Sequence, residues 1–192
     1  NRGDRLQQLL ELAADYRQLG AWEEALVILA QADAAGAAYA SPLVKYYAGY
    51  CHLQLGGTDK ARALFGQAAA MPTDYCFPFR REELRMLTAA AELRPSDANT
   101  WYYLGNLYYY LDQRERGIAA WEKAAALNPS HALALRNLGF AYGRIPEKRE
   151  LAAKRYEAAI EADPQNVACV LELDKLFEKT NLDAAQRLAL LE

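Results

Sequence analysis

The side chains best suited to covalent or acid–base chemistry in this chain are three cysteines and two histidines. Cys51, Cys76 and Cys169 are scattered, with no C-x-x-C spacing. A nucleophilic thiol needs a histidine beside it in space. His52 follows Cys51 directly, and adjacent side chains on a helix diverge by about 100° rather than face each other. A metal site drawn from two His and three Cys has no ligand motif behind it. The carboxylate pairs Glu23-Glu24 and Glu82-Glu83 also point apart, so they read as solvated helix faces rather than acid–base dyads. No enzyme, metal or cofactor is therefore expected. The cysteines read as semi-buried small hydrophobes of a reducing compartment, which predicts a cytoplasmic protein.

Composition narrows the classes further. Of 192 residues, 53% are hydrophobic, enough apolar surface for packed helices and too much for a disordered chain. The net charge of −3 and pI near 5.5 leave no basic surplus for phosphate binding, which excludes nucleic acid as a main partner. No apolar run approaches the roughly 18–20 residues of a membrane span. The start shows no secretory pattern. It reads Asn1-Arg2-Gly3 without an initiator Met, so the chain is expected to be a fragment of a longer polypeptide.

The elements that must position any site are repeats. Trp101-Tyr102-Tyr103-Leu104-Gly105-Asn106-Leu107-Tyr108 is followed by Gly117, Trp121, Ala124 and Asn128-Pro129. That is the W-x2-L-G-x2-Y … A-x3-F … P signature of a tetratricopeptide repeat, with Gly117 and Trp121 replacing the usual Ala and Phe. Gly105 leaves room for close helix approach, Leu104, Tyr108 and Trp121 fill the space between helices, and Pro129 ends the second helix. Leu138, Gly139 and Tyr142 repeat the pattern 34 residues on, with one extra residue in the turn from Gly143 to Glu147 before Tyr156, Ala159 and Pro164. Earlier, Leu9, Ala13, Ala25 and Leu29 form one unit, and Gly49, Ala61, Phe65 and Ala68 another. The last unit is degenerate: Val170, Leu173 and Phe177 keep the large positions, Asp174 stands where glycine would, and Leu182–Leu191 is expected to be its second helix.

The period breaks once. From Ala48 to its counterpart Leu104 is 56 residues, which leaves 22 beyond one 34-residue repeat. That suits one helix and a connector. Leu87, Ala90 and Pro95 fit the second helix of a pair whose first is missing, and Pro72–Arg80, with two prolines and several aromatics, reads as extended. The Phe77-Pro78-Phe79 stretch reads as a plug filling the gap in preference to a feature projecting into a site. The expected units are about 6–40, 42–71, an extended segment 72–80 with a lone helix 81–94, then 98–131, 132–166 and 167–192.

The chain thus resembles tetratricopeptide repeat proteins over nearly all its length. The stretch Asp74–Arg80, then Glu82-Glu83-Leu84 and Trp101–Leu107, is also similar to the C-terminal repeat region of large bacterial proteins. Their N-terminal half is a β-rich domain of unassigned function, sometimes likened to carbohydrate-active enzymes. The resemblance implies an all-α array of antiparallel helix pairs, a right-handed superhelical solenoid with one irregular break. It also implies a concave groove lined by first helices, here at Tyr46, Tyr47 and Tyr50, at Tyr102, Asn106, Tyr109 and Tyr110, and at Arg136, Asn137, Phe140 and Arg144. Such a Tyr-rich, amide-bearing groove implies a scaffolding module for a partner protein, a peptide or the N-terminal domain of the same polypeptide. The alternative is an accessory domain contributing sugar contacts to a carbohydrate-active enzyme. Asn106 and Asn137 hold the two Asn positions of the dicarboxylate clamp used by some relatives. Its cationic positions are Tyr102, Ala168 and Glu172, which excludes that clamp.

Overall fold

The computed structural model describes residues 2–34, 41–73 and 76–179, together with 183, 185, 187 and 188. Ten α-helices lie among them: α1 Arg2–Gln18, α2 Trp22–Ala34, α3 Pro42–Gln54, α4 Thr58–Ala69, α5 Glu83–Leu93, α6 Ala98–Tyr110, α7 Arg114–Leu127, α8 Ala132–Gly143, α9 Arg149–Ala162 and α10 Val167–Glu178. Helices α1 and α2, α3 and α4, α6 and α7, and α8 and α9 pack as pairs, and α10 packs on α9. The expectations for residues 35–40, for 74–75 and for most of Leu182–Leu191 lie outside the described residues.

Local chemistry sets the helix ends. Ser41 caps α3 ahead of Pro42, its hydroxyl accepting from the Leu43 N–H. Asp97 caps α6 with one carboxylate oxygen for the Asn99 and Thr100 amides and the other for the Thr100 hydroxyl. Three pairs turn alike, with a left-handed residue after the first helix: Gly20, Gly56 and Asp112, at φ of 76°, 82° and 59°. The fourth turn carries the extra residue and closes as a 3-10 turn, Pro146–Lys148.

Three of the four pairs are locked by an aromatic ring lying where a glycine has no side chain, while the first has Ala13 and Leu29 in those positions. A Cβ on Gly105 would sit 2.3 Å from Cδ1 of Trp121, and Gly49 and Gly139 stand in the same relation to Phe65 and Tyr156. The core runs through all pairs as one continuous layer of Leu, Ala and aromatic side chains.

At the break, α5 packs mainly on α6 and α3. Helix α3, already paired with α4, thereby also supplies surface that the missing first helix would have offered. Tyr46 and Tyr47 consequently leave the groove set. Both are fully buried: the Tyr46 hydroxyl bonds Thr100 Oγ1 at 2.9 Å, and the Tyr47 hydroxyl donates to the Glu83 carboxylate. Glu83 is likewise no solvated residue. It is 1% exposed, and its second oxygen accepts the amides of Phe79 and Arg80 at 2.8 Å each. The extended segment alternates as a strand does. Cys76 and Pro78 point inward, while Phe77 and Phe79 point out at 64% and 46% exposure, so the filler of the gap is Cys76 and Pro78 rather than the phenyl rings. Asp174, in the glycine position of the last unit, meets the Arg187 guanidinium at 3.2 Å.

Gly105→Ala is expected to lower the melting temperature, because its methyl has no space unless Trp121 shifts; overpacking of this kind costs about 1–3 kcal/mol. Combined with Trp121→Leu, the loss should be smaller than the sum of the two single losses. Strictly additive losses in thermal melts would show that the two residues do not meet.

Candidate functional site

Between α6 and α8 the chain encloses a cavity of about 540 Å³. Helical spacing puts Tyr102, Asn106, Tyr109 and Tyr110 on its α6 wall and Arg136, Asn137 and Phe140 on its α8 wall. Trp121 closes the floor, and Thr73 and Phe77 of the extended segment form a rim. The structure thus brings seven of the expected groove residues together. Tyr50 lies elsewhere, edge-on to Trp22 in a separate pocket. Arg144 lies one step along, in an adjoining pocket of about 280 Å³ that shares Phe140 and adds Lys175 and Lys179 from α10.

Two amides form the polar centre. Asn106 Oδ1 accepts from Trp121 Nε1 at 3.0 Å and from Asn137 Nδ2 at 2.9 Å. The indole N–H can only donate, so the orientation of both amides follows from it. Asn106 Oδ1 is saturated, while Asn106 Nδ2 and Asn137 Oδ1 have no partner among the described residues. The rings are layered. Tyr102 is 3% exposed and stacks near His131 at 4.9 Å; Tyr109 packs against Trp121 at 5.0 Å; Tyr110 and Phe140 are 67% and 44% exposed. Tyr102 and Tyr109 therefore build the wall, and Tyr110, Phe140 and Phe77 present exposed ring surface.

The charges divide similarly. Arg136 is engaged by both carboxylate oxygens of Glu172, so its charge is already met. Arg144, whose guanidinium lies 5.5 Å from the Phe140 ring centre, has no ion pair among the described residues, nor have Lys175 and Lys179. Trp121, Phe77, Lys175 and Lys179 were not among the expected groove residues. Lys175 and Lys179 carry a sequence signal, since they follow Glu172 at spacings of three and seven on one helical face.

The thiols are not poised for chemistry. Cys51, Cys76 and Cys169 are free and buried. Burial pushes Cys51 and Cys169 up to about 11, and Cys76 in the same direction, so all three stay protonated at neutral pH. Among the described residues no helix is long and apolar enough to cross a membrane.

Residues 98–131 match the model of the tetratricopeptide repeat family. A mouse protein, tetratricopeptide repeat protein 21B, is 27% identical across 91% of this chain, which spans 15% of that protein's length. The crystal structure of MamA superposes with a TM-score of 0.54 at 18% identity, covering 93% of this chain and 90% of MamA. The first repeat domain of Spaghetti (RPAP3), solved with the HSP90 peptide SRMEEVD, superposes with a TM-score of 0.50 at 20% identity, covering 74% of this chain and 94% of that domain. These likenesses establish the fold, which is all-α and tetratricopeptide-like.

His131, behind Tyr102, makes the architecture sensitive to pH. Its Nδ1 accepts the Ala134 N–H at 3.3 Å and caps α8. Nε2 then carries the proton and donates to Asn99 Oδ1 at 3.0 Å, while Asn99 Nδ2 donates to the Ala69 carbonyl at 2.6 Å and ties α6 to α4. Burial holds the pKa below its ordinary 6.5. Between those two values the unfolded chain binds the extra proton, so stability is full above about 6.5 and falls as the pH drops below it. His131→Asn keeps a capping side chain without a titrating group. Melting temperatures taken from pH 7.5 down to 5.5 should fall less steeply in this variant; equal slopes would detach His131 from the effect, since His52 is common to both.

Proposed function

We propose that this chain is a non-catalytic recognition module holding an extended segment of a partner protein along α6, α8 and α10. The segment belongs either to another polypeptide or to another domain of the same one. The observation that carries this reading is the state of the two amides. An extended peptide presents one carbonyl and one N–H per residue. Asn106 Nδ2, without a partner among the described residues, suits the first, and Asn137 Oδ1, likewise, the second. Their rigid support means that little side-chain freedom is lost on binding.

The surroundings specify the segment. Phe77, Tyr110 and Phe140 supply flat apolar surface for an aromatic or aliphatic side chain. Arg144, Lys175 and Lys179, one step further and without ion pairs among the described residues, favour acidic residues beside it. That cationic end also favours an acidic peptide over a neutral glucan, although the rings alone would suit either. A peptide role agrees with the HSP90 peptide held by the Spaghetti domain of the same fold.

An immobilised peptide array, with an aromatic residue followed by Asp or Glu in half of the sequences and by Lys in the rest, tests this against a panel of soluble glucans. Acidic sequences should be retained and their Lys counterparts lost. Asn106→Asp keeps an acceptor for Trp121 but removes both free N–H donors. It should weaken binding by about tenfold or more, as should Tyr110→Ala with Phe140→Ala, with melting temperature nearly unchanged in the latter. Glucan binding without peptide binding, or full peptide binding by Asn106→Asp, would overturn the reading.

A further inference from the structure

A second pocket of about 360 Å³ lies between the first two pairs and α5, remote from the groove residues of α6 and α8. Its wall includes Arg17, the one buried cation among the described residues at 7% exposure. The Arg17 guanidinium lies over the Tyr47 ring at 3.9 Å. Its Nε has no hydrogen-bond partner, and the side chain forms no ion pair among the described residues. The nearest buried acid, Glu83, accepts from Tyr47 and from the amides of Phe79 and Arg80, so it faces Arg17 across the Tyr47 side chain without pairing with it directly. A cation removed from water and left without a counter-ion destabilises the chain that carries it. The Tyr47 ring face and the Glu83 charge offset part of that cost, and an anion in the pocket would meet the guanidinium directly.

The other lining residues indicate what that is. Arg85, exposed and without an ion pair among the described residues, adds a second guanidinium, and Glu82 adds one carboxylate. Two positive charges against one negative suit a monoanion rather than a dianionic phosphate. Guanidinium forks match a carboxylate in two parallel hydrogen bonds. Trp22 and Tyr50, edge-on at 6.0 Å, line the same space and give a planar ring a surface to pack on.

We propose that this pocket binds an aryl carboxylate, a planar ring bearing a carboxylate group, with the carboxylate on Arg17 and Arg85 and the ring against Trp22 and Tyr50. Such a group is found in free small acids and at the C-terminus of a peptide ending in an aromatic residue. Titration calorimetry of the intact chain with phenylacetate, with N-acetyl-Gly-Phe, with the C-terminal amide of that peptide and with inorganic phosphate separates these sources. One or both carboxylates should bind, while the amide and phosphate should not. Arg85→Gln should weaken binding by about tenfold or more with an unchanged melting temperature. Arg17→Met should abolish binding and, by leaving Glu83 without its buried cation and Tyr47 without its cation contact, lower the melting temperature of the unliganded chain. Arg144→Gln, in the groove, should leave carboxylate binding intact, which keeps this site separate from the peptide groove. Failure of both carboxylates to bind, phosphate binding as tightly, or undiminished binding by Arg85→Gln and Arg17→Met would each overturn the proposal.

Discussion

The Trp121 indole occupies the space where Gly105 has no Cβ, and the geometry of the central pair is set from that contact. The ring draws α7 close to α6. Its edge then presents Nε1 to Asn106, which fixes one amide and, through it, the Asn137 amide on α8. Packing and polar recognition are therefore not separate layers here. Phe65 on Gly49 and Tyr156 on Gly139 make the same close approach, but neither ring bears an N–H on its edge, and the positions matching Asn106 are Tyr50 and Phe140. The packing rule repeats through the array, whereas the hydrogen-bonding chemistry that rests on it occurs in one pair.

The missing helix between α4 and α5 reorganises what lies around it. A regular unit would have screened α3 from α5 and α6. Without it, Tyr46 reaches Thr100 and Tyr47 reaches Glu83, and two tyrosines become interior struts. Glu83 satisfies three donors at once, which makes its buried carboxylate a fastening for the chain as it leaves the extended segment. That segment in turn sends Phe77 to the rim of the groove. One deletion in the repeat pattern thus accounts for the buried tyrosines, the buried acid and part of the groove wall.

Much of this was legible in the sequence because repeat packing is local and periodic. Gly105, Trp121 and their counterparts at Gly49 and Phe65 follow from spacing alone, and so do the positions of α6 to α9. The placement of Tyr102, Asn106, Tyr109, Tyr110, Arg136, Asn137 and Phe140 around one cavity follows from helical phase. What was not legible depends on contacts that the period does not encode. Tyr46 and Tyr47 occupy the same phase as Tyr102 and Tyr103, so only knowledge of what replaces the absent helix would reveal the use of their hydroxyls. The fate of Glu83 turns on backbone amides of a segment with no regular structure. The neutralisation of Arg136 by Glu172 is an encounter between helices one repeat apart. The outward turn of Phe77 was within reach, since Cys76 and Pro78 against Phe77 and Phe79 is a two-residue alternation.

The bond between Tyr46 and Thr100 spans 54 residues, further along the chain than the 31 and 36 residues of the inter-repeat bonds Asn106–Asn137 and Arg136–Glu172. Stacked repeats ordinarily behave as a one-dimensional series in which each unit feels only its neighbours, so that an array can melt from one end. Here the junction ties the first two pairs directly to the central one. Closing that longer loop costs only about 0.4 kcal/mol more than closing one of 36 residues. Once formed, the junction gives the two halves a direct contact beyond the neighbour-to-neighbour stacking of a regular array.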